Sequence, residues 1–455
     1  EGAAFGSGEE SHGRELGRMT KTVAFYTLGC KVNQYESRHL EELFRSAGYM
    51  VTDPAGEALV YVVNTCTVTR LADRKSRQFM RRVKRQNPSS VLVVMGCYPQ
   101  TNPEEVGQIE EADIILGNED KGQALQRVEE YLQNMHRHTG GDALRSPAPA
   151  AHISPDQRAR ALLKVQDGCD RYCAYCVIPY ARGAVRSRAL KSIVGEAEAL
   201  IASGYRELVL TGINTALYGA DLGGGSGGVA DVVAALDALP GDFRIRLGSL
   251  EPTVVDAAYV QKLLAFDKLC HHMHLSAQSG SDRILKAMNR RYTVAEYLKI
   301  VQVLRAADPY YGLTTDIITG FPGETEEDFQ QSLELVREVG YLKVHGFPYS
   351  RRPLTPAADA GGQIPAPVKK ERNRRLEAVA DEVAASYLRS IEGQRLRVLP
   401  EETICGEGGL LLWKGHSDHF VTAYGECPSG NVPPNELLEV VAKKPWHDGV
   451  MTGKE

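Results

Sequence analysis

Three β-rich apolar runs near the N-terminus each lead to a single cysteine, and that repeated placement constrains how the chain can fold. Val23-Ala-Phe-Tyr-Thr leads to Cys30, Leu59-Val-Tyr-Val-Val-Asn to Cys66, and Val91-Leu-Val-Val-Met to Cys97. Such runs read as parallel strands covered on both faces. Helical patterns over Glu36–Ala47 and Arg70–Gln86 lie between them, and the intervals match βαβ units. In an open α/β sheet the carboxyl ends of adjacent strands share one crevice, so cysteines distant in sequence converge there. The competing reading is three structural thiols, since free cysteine is often buried. Small or polar neighbours, and the same place in each unit, favour a joint site.

A second set is contiguous: Gly168-Cys169-Asp170-Arg171-Tyr172-Cys173-Ala174-Tyr175-Cys176. Three thiolates so spaced can bind three irons of a cubane and leave the fourth iron open for chemistry. Zinc would need a fourth Cys or His at matching spacing, and none follows closely. A disulfide framework does not suit 455 residues with nine cysteines, an odd number grouped at motif positions. The spacing, with an aromatic residue before the last Cys, resembles the signature of the radical S-adenosylmethionine (SAM) superfamily. That resemblance implies SAM on the open iron and Tyr175 near its adenine.

Both sets together resemble the radical SAM methylthiotransferase family. Thr27-Leu-Gly-Cys-Lys-Val-Asn-Gln-Tyr-Glu-Ser is similar to the bacterial branch acting on tRNA that carries N6-threonylcarbamoyladenosine. The branch acting on isopentenyladenosine has Gln-Met-Asn after this Cys, and the branch modifying a ribosomal protein has Pro-Lys-Asn; Lys31-Val32-Asn33 fits neither. The resemblance runs from about Thr22 to about Lys444 and takes in Pro179-Tyr-Ala-Arg-Gly, Leu210-Thr-Gly-Ile-Asn, Gln278-Ser-Gly-Ser, Asp316-Ile-Ile-Thr-Gly-Phe-Pro-Gly-Glu-Thr and Phe347-Pro-Tyr-Ser, in family order.

A chain of this length exceeds one hydrophobic core. The expected division is a disordered leader over 1–21, with Met19 as the natural start; an N-terminal α/β domain over 22–130 carrying the auxiliary cluster; a linker over 131–157 rich in His, Gly, Ser and Pro; a radical SAM domain over 158–388; and a small C-terminal β-barrel over 389–446. No stretch is apolar and long enough to span a membrane, and Glu1 to Arg18 lack the apolar core of a signal peptide. Reduced cysteines without an export signal place the protein in the cytoplasm.

Beyond the linker, Leu162-Leu-Lys-Val, Leu208-Val-Leu-Thr, Phe243-Arg-Ile-Arg-Leu, Met273-His-Leu, Thr314-Thr-Asp-Ile-Ile and Val344-His-Gly-Phe alternate with helical segments. This is a parallel (β/α) barrel pattern, whose sites lie at the carboxyl ends of its strands. The resemblance implies a partial six-stranded barrel, with Thr211, Gly212, Asn214, Ser249, Glu251, Gln278 and Asp316 facing SAM. Ordinary turn and capping chemistry would account for any one of them alone. Relatives have Pro where this chain has Ser276, which loosens the turn before Gln278. His271, His272 and His274 beside Cys270 read as strand-face histidines, because alternation puts His272 and His274 on one face and no acidic partner is adjacent in sequence. Gly223-Gly-Gly-Ser-Gly-Gly is a loop without a phosphate fingerprint.

Arg70, Arg74, Lys75, Arg77, Arg81, Arg82, Lys84 and Arg85 crowd one helix whose only internal acid is Asp73. A helix that needs only solubility pairs its charges at i and i+4, so the unpaired stripe reads as RNA contact, with Arg74, Lys75, Arg77, Arg81, Arg82 and Arg85 as its members. A solvated face is the competing reading. The net charge of −5 does not exclude such a local patch. After a helix over Val368–Ser390, Arg395-Leu-Arg-Val-Leu, Leu410-Leu-Leu-Trp, His419-Phe-Val-Thr-Ala-Tyr and Leu437-Leu-Glu-Val-Val-Ala are short strands of a small barrel, by resemblance the tRNA-binding TRAM module. Cys405 and Cys427 in it are incidental thiols.

The resemblance implies two [4Fe-4S] clusters, on Cys169, Cys173, Cys176 and on Cys30, Cys66, Cys97. The first cleaves SAM to a 5'-deoxyadenosyl radical, and the second carries a sulfur that another SAM methylates. The product is the methylthio group at C2 of the modified adenosine at position 37 of the anticodon loop. A radical is needed because that C2 hydrogen is not acidic, and a loop base can be splayed out to reach a deep site. Implied partners are the tRNA anticodon stem-loop and a reductant such as flavodoxin or ferredoxin, the enzyme being a monomer. The alternatives are methylthiolation of isopentenyladenosine or of a ribosomal-protein aspartate, and a non-catalytic iron-sulfur RNA-binding protein, which would show a damaged SAM-cluster motif.

Overall fold

Residues 21–139, 159–223, 227–253, 255–427 and 435–453 are described by the computed structural model. The proposed leader apart from Lys21, residues 140–157 of the proposed linker and the middle of the glycine run lie outside them. The chain divides into two compact units, one comprising Glu1–Ser154 with Tyr180–Arg182 and the other Pro155–Pro179 with Gly183–Glu455.

The first unit is built on a five-stranded, wholly parallel sheet. Its strands are β1 (Thr22–Thr27), β2 (Met50–Thr52), β3 (Val60–Thr65), β4 (Val91–Gly96) and β5 (Ile114–Leu116), in the order β2-β1-β3-β4-β5. β3 and β4 are buried throughout, as strands covered on both faces must be. Strand alternation divides their side chains between two cores. Val23, Phe25, Val60, Val62, Val91 and Val93 pack with Leu40 and Phe44 of helix α1 (Lys31–Ser46), whereas Ala24, Tyr61, Val63, Leu92 and Val94 pack with Phe79, Met80 and Val83 of helix α2 (Arg70–Gln86). Each fully buried side chain of this size contributes roughly 1.5–3 kcal/mol. Thr69 caps α2 by accepting the Ala72 amide at 3.2 Å, a contact worth about 1 kcal/mol. The sequence reading missed β2 and β5, which are only three residues long and carry no alternation. Helix Ala124–Thr139 extends past residue 130, into the segment read as linker.

In the second unit, strands Arg160–Lys164, Glu207–Thr211, Arg244–Leu247, His272–Leu275, Gly312–Thr319 and Lys343–Pro348 run parallel in chain order. The third strand breaks at Gly248 and resumes as Ser249–Leu250, which pairs with the fourth; a bridge between Ile245 and Leu269 supplements the join. Among the described residues no pairing closes the first strand onto the last, so this is the open partial barrel the sequence implied. The 25-residue helix Ala366–Ser390 follows. The chain then forms a closed barrel of Arg395–Cys405, Leu411–Ser417, Thr422–Glu426, Leu438–Trp446 and Gly449–Gly453. Its last strand lies beyond residue 446, where the sequence reading ended the module.

The C-terminal barrel and the foot of the parallel barrel share a buried charge network. Glu207 accepts from Arg244 Nε at 2.6 Å and Arg246 Nε at 2.7 Å. The same guanidiniums donate to the carbonyls of His416 (2.7 Å) and Ser417 (2.9 Å) in the C-terminal barrel. Phe420, in a left-handed conformation at φ 67°, lies over Arg246 and stacks on His272. No helix among the described residues is long and apolar enough to cross a membrane.

Candidate active site

In the first unit, the registers Thr27↔Asn64 and Thr65↔Gly96 bring the ends of β1, β3 and β4 level, and Cys30, Cys66 and Cys97 follow those ends. Their sulfurs interact electrostatically with one another. Polar side chains brace the three turns. Asn33 donates to Leu28 O (2.7 Å) and Thr65 O (3.0 Å), Asn64 donates to Asn33 O (3.0 Å), and Thr65 Oγ1 donates to Met95 O (2.7 Å). Gly29 stands at φ 103°, and a Cβ there would lie 2.9 Å from Cys66 Sγ, so no larger residue fits.

A buried charged group adjoins these thiols. Arg182 NH1 donates to Glu36 Oε1 at 2.6 Å, its NH2 donates to Asn33 Oδ1, and Lys121 Nζ donates to Glu36 Oε2 at 2.6 Å. Two cations against one carboxylate leave one positive charge in excess, which suits a centre whose thiolates make it anionic. Asn118 donates to Cys97 Sγ at 3.6 Å and to Ala181 O at 2.6 Å. The sequence reading assigned no role to Glu36, Asn118, Lys121 or Arg182. Arg182 stood inside a motif quoted for the resemblance, but nothing local marks it as a partner of residues so far away in sequence.

In the second unit, the loop carrying Cys169, Cys173 and Cys176 is fixed mainly through its backbone. Cys169 N donates to Gly183 O (3.0 Å), Ala174 N to Met288 O (2.9 Å), and Asn289 Nδ2 to Tyr172 O (3.0 Å). Gly168 has φ 73°, and a Cβ on it would meet Ala184 O at 1.8 Å. Gln166, fully buried and unnoticed in the sequence, donates to Gly168 O (2.6 Å) and accepts from Asn214 N (3.0 Å), tying this loop to the next one. Desolvation pushes the Cys169 thiol up to about 11 and the Cys66 and Cys176 thiols up to about 12. As free thiols these groups are protonated at neutral pH, and metal loading releases the protons.

Among the described residues neither set holds its three sulfurs within 4.8 Å of one another. A single tetrahedral ion with metal–sulfur bonds of about 2.3 Å would need them closer than about 4 Å. A cubane, in which each thiol takes its own iron, does not require that closeness.

Glu251 is the hub of the remaining site. It accepts from Asn214 Nδ2 (2.8 Å) and Arg290 NH1 (3.0 Å) and pairs with Arg171 Nε (3.2 Å). Arg290 also lies 6.0 Å from the Tyr175 ring centroid. Arg171 and Arg290 were absent from the sequence reading because charge complementarity to a buried carboxylate has no local signature. Thr211 Oγ1 is turned back onto Val209 O (3.1 Å), Gly212 abuts Gln166, and Ser249 is exposed, its carbonyl accepting from Thr215. Gln278 sits at φ 65° and exchanges backbone bonds with Asp316 O (2.8 Å) and Ile318 N (2.9 Å). The turn is therefore held rather than loosened, with Ser276 Oγ donating to Asp316 at 3.2 Å. Asp316 also takes His274 Nε2 at 3.0 Å.

The basic helix is less unpaired than its sequence implied. Arg77 reaches Glu105 (2.7 Å) and Tyr98 Oη (2.6 Å), Arg81 approaches Glu111 (3.7 Å), and Lys84 meets Asp113 (2.6 Å). The acids come from neighbouring elements, which an i,i+4 count does not see. Arg70, Arg74, Lys75, Arg82 and Arg85 remain exposed without a carboxylate partner among the described residues.

Comparison with known proteins places both thiol sets within matched regions. The model described as "Uncharacterized protein family UPF0004" matches residues 22–117, and that of the "Radical SAM superfamily" matches 163–336. The threonylcarbamoyladenosine tRNA methylthiotransferase MtaB of Bacillus subtilis (strain 168) is 39% identical over 404 residues, covering 88% of this chain and 89% of that protein. The protein of the same name from Thermotoga maritima is 38% identical, covering 88% and 90%. Among solved structures, the radical SAM methyltransferase TsrM from Kitasatospora setae superimposes with a TM-score of 0.54 at 15% identity, covering 75% of this chain and 77% of that one. That likeness is one of fold alone.

Proposed function

Given that the chain belongs to the family of threonylcarbamoyladenosine tRNA methylthiotransferases, we propose that it converts N6-threonylcarbamoyladenosine at position 37 of tRNA to its 2-methylthio derivative. The observation that carries this reading is the presence of two separate three-thiol sites in one chain, the second in radical SAM spacing. Adenine C2 offers no acidic proton, and SAM bound at an iron-sulfur cluster supplies the radical that the reaction needs. Cys169, Cys173 and Cys176 hold one [4Fe-4S] cluster, and Cys30, Cys66 and Cys97 hold the other. Glu251 and Asn214 orient SAM with Thr211, Gly212, Ser249, Gln278 and Asp316, while Tyr175 borders its adenine. Arg290 and Arg171 pair with Glu251 and hold it in place. Arg74, Lys75, Arg82 and Arg85 take RNA phosphates, with Arg77 and Arg81 at the edge of that stripe.

On this reading the α/β unit ending with helix Ala124–Thr139, the parallel barrel, and the C-terminal barrel through Gly453 divide the work into sulfur centre, radical chemistry and RNA recognition. The partners are tRNA and a reductant such as flavodoxin or ferredoxin, and the enzyme acts as a cytoplasmic monomer. Nucleoside mass spectrometry of tRNA from cells lacking the protein tests the reading. The methylthio derivative of threonylcarbamoyladenosine should vanish and return with the wild-type gene, but not with Cys66→Ala or Cys173→Ala. Its persistence in the deletion strain, or loss of methylthiolated isopentenyladenosine instead, would overturn the assignment.

A further inference from the structure

His271, Asp308 and His419 come together within the second unit, at the foot of the parallel barrel. His271 Nδ1 lies 2.7 Å and His419 Nε2 2.8 Å from the same atom, Asp308 Oδ2, and the three potential ligand atoms all lie within 4.8 Å of one another. The residues come from three places in sequence. His271 immediately precedes strand His272–Leu275, Asp308 follows helix Val294–Ala307, and His419 occupies a turn of the C-terminal barrel. Alternation along the strand separates His271 from His272 and His274, which bond Thr314 instead. The acidic partner missing from the sequence around these histidines is supplied by the fold.

From this geometry we infer that His271, Asp308 and His419 form a binding site for a divalent transition ion of the zinc class, which would fasten the C-terminal barrel to the parallel barrel.

The donor set is two imidazoles and one carboxylate oxygen, the combination that zinc and its neighbours in the first transition row accept. In a tetrahedral site with bonds of about 2.0–2.1 Å the ligand atoms stand about 3.3 Å apart. The two close contacts thus need to open by only about half an ångström. Asp308 is already set for one-oxygen ligation, because its Oδ1 accepts the Tyr310 amide at 2.8 Å and leaves Oδ2 facing the rings. His419 is held by its backbone: its carbonyl is so close to residue 312 that a Cβ there would stand 1.9 Å away. Its Nδ1 has no partner among the described residues, so ligation through Nε2, with the proton on Nδ1, breaks no hydrogen bond at that nitrogen. His271, with a side chain 53% exposed, can adjust to the ion and leaves a coordination position for water.

The test uses the holoenzyme after anaerobic reconstitution. Desalted protein is titrated with zinc, zinc and iron are counted by elemental analysis, and zinc X-ray absorption reads the ligand type. We expect about one zinc per chain in a nitrogen and oxygen shell near 2.0–2.1 Å, with unchanged iron and a raised Tm. His271→Ala, an exposed position whose loss should not disturb folding, and Asp308→Asn should each abolish stoichiometric binding and the Tm rise while retaining iron. A sulfur shell near 2.3 Å, binding unaffected by either substitution, or no zinc retained by the wild type would each overturn the inference.

Discussion

Arg290 lies 3.0 Å from Glu251, and each side chain is only 7% exposed. Glu251 already pairs with Arg171 and Asn214, so Arg290 brings a second guanidinium to one buried carboxylate, and it does so beside Tyr175. Removing one member of a buried pair strands the other, at a cost of about 3 kcal/mol or more. Arg290→Met should therefore lower stability in urea unfolding and weaken SAM binding by about tenfold or more in calorimetry, 1.4 kcal/mol per decade. Unaltered SAM affinity in a destabilised variant would reduce Arg290 to a structural counter-ion.

The two clusters should be separable by single glycines. Gly168→Ala forces a Cβ against Ala184 O and should remove the cluster on Cys169, Cys173 and Cys176, dropping iron from about eight to about four per chain. SAM cleavage should vanish with it. Gly29→Ala, crowding Cys66, should lose the other cluster and still yield 5'-deoxyadenosine under strong reductant. If both variants lose both clusters, the two sites do not assemble independently.

Excess positive charge at Arg182 and Lys121 should hold the anionic centre on Cys30, Cys66 and Cys97. In a protein already carrying Cys169→Ala, Cys173→Ala and Cys176→Ala, Arg182→Met should lower the midpoint potential of the remaining cluster and speed iron loss to chelator. Glu36→Gln should shift the potential the other way. Identical potentials in all three proteins would show that this charge does not reach the cluster.

For the basic helix the structure sharpens the choice of residues. Arg74→Glu, Lys75→Glu, Arg82→Glu and Arg85→Glu alter exposed cations without carboxylate partners and should reduce the salt slope of tRNA binding by about 0.7–0.9 for each phosphate no longer neutralised. Arg77→Glu breaks the bonds to Glu105 and Tyr98 and should appear mainly as lower stability. A salt slope identical to wild type in the fourfold variant would mean that the stripe is a solvated face.

Acid should loosen the foot of the barrel in a predictable direction. Burial by itself would raise the Glu207 carboxyl, yet Arg246 and Arg244 hold it well below the ordinary carboxylate range. The unfolded chain, with a glutamate near about 4.3, therefore binds the proton first. Stability from this network is complete above that value and is lost as pH falls toward the folded one. Glu207→Gln should destabilise the protein at neutral pH by several kcal/mol, and its deficit relative to wild type should shrink below about pH 4. Parallel unfolding midpoints for the two proteins from neutral to acid pH would rule this out.

The parts of the site legible in the sequence were those whose chemistry repeats along the chain. Cys30, Cys66 and Cys97 declared themselves by following similar strands, and helix Arg70–Gln86 by its helical pattern between two of them. The six main strands of the parallel barrel carried enough apolar residues to be read within a few positions. What escaped was decided by distant partners. Arg182 finds Glu36 across 146 residues and Arg290 finds Glu251 across 39, and no window along the chain contains either pair. The same holds in the opposite sense for Arg77, which looked unpaired until Glu105 arrived from another helix. The final strand, Gly449–Gly453, was missed because its pairing partners, not its own composition, make it a strand.

The turn at Ser417 and Asp418 puts main-chain carbonyls onto Arg246, the His416 carbonyl does the same for Arg244, and Phe420 lies against Arg246. Cutting the chain before Arg395 would therefore not yield a trimmed catalytic core. It would open two guanidiniums and a carboxylate to water at the base of strands Glu207–Thr211 and Arg244–Leu247, whose other ends position Asn214 and Glu251. A loss of activity on truncation would then report a slackened scaffold as much as a missing grip on RNA, and point substitutions on the outer face of the C-terminal barrel are the cleaner instrument for telling them apart.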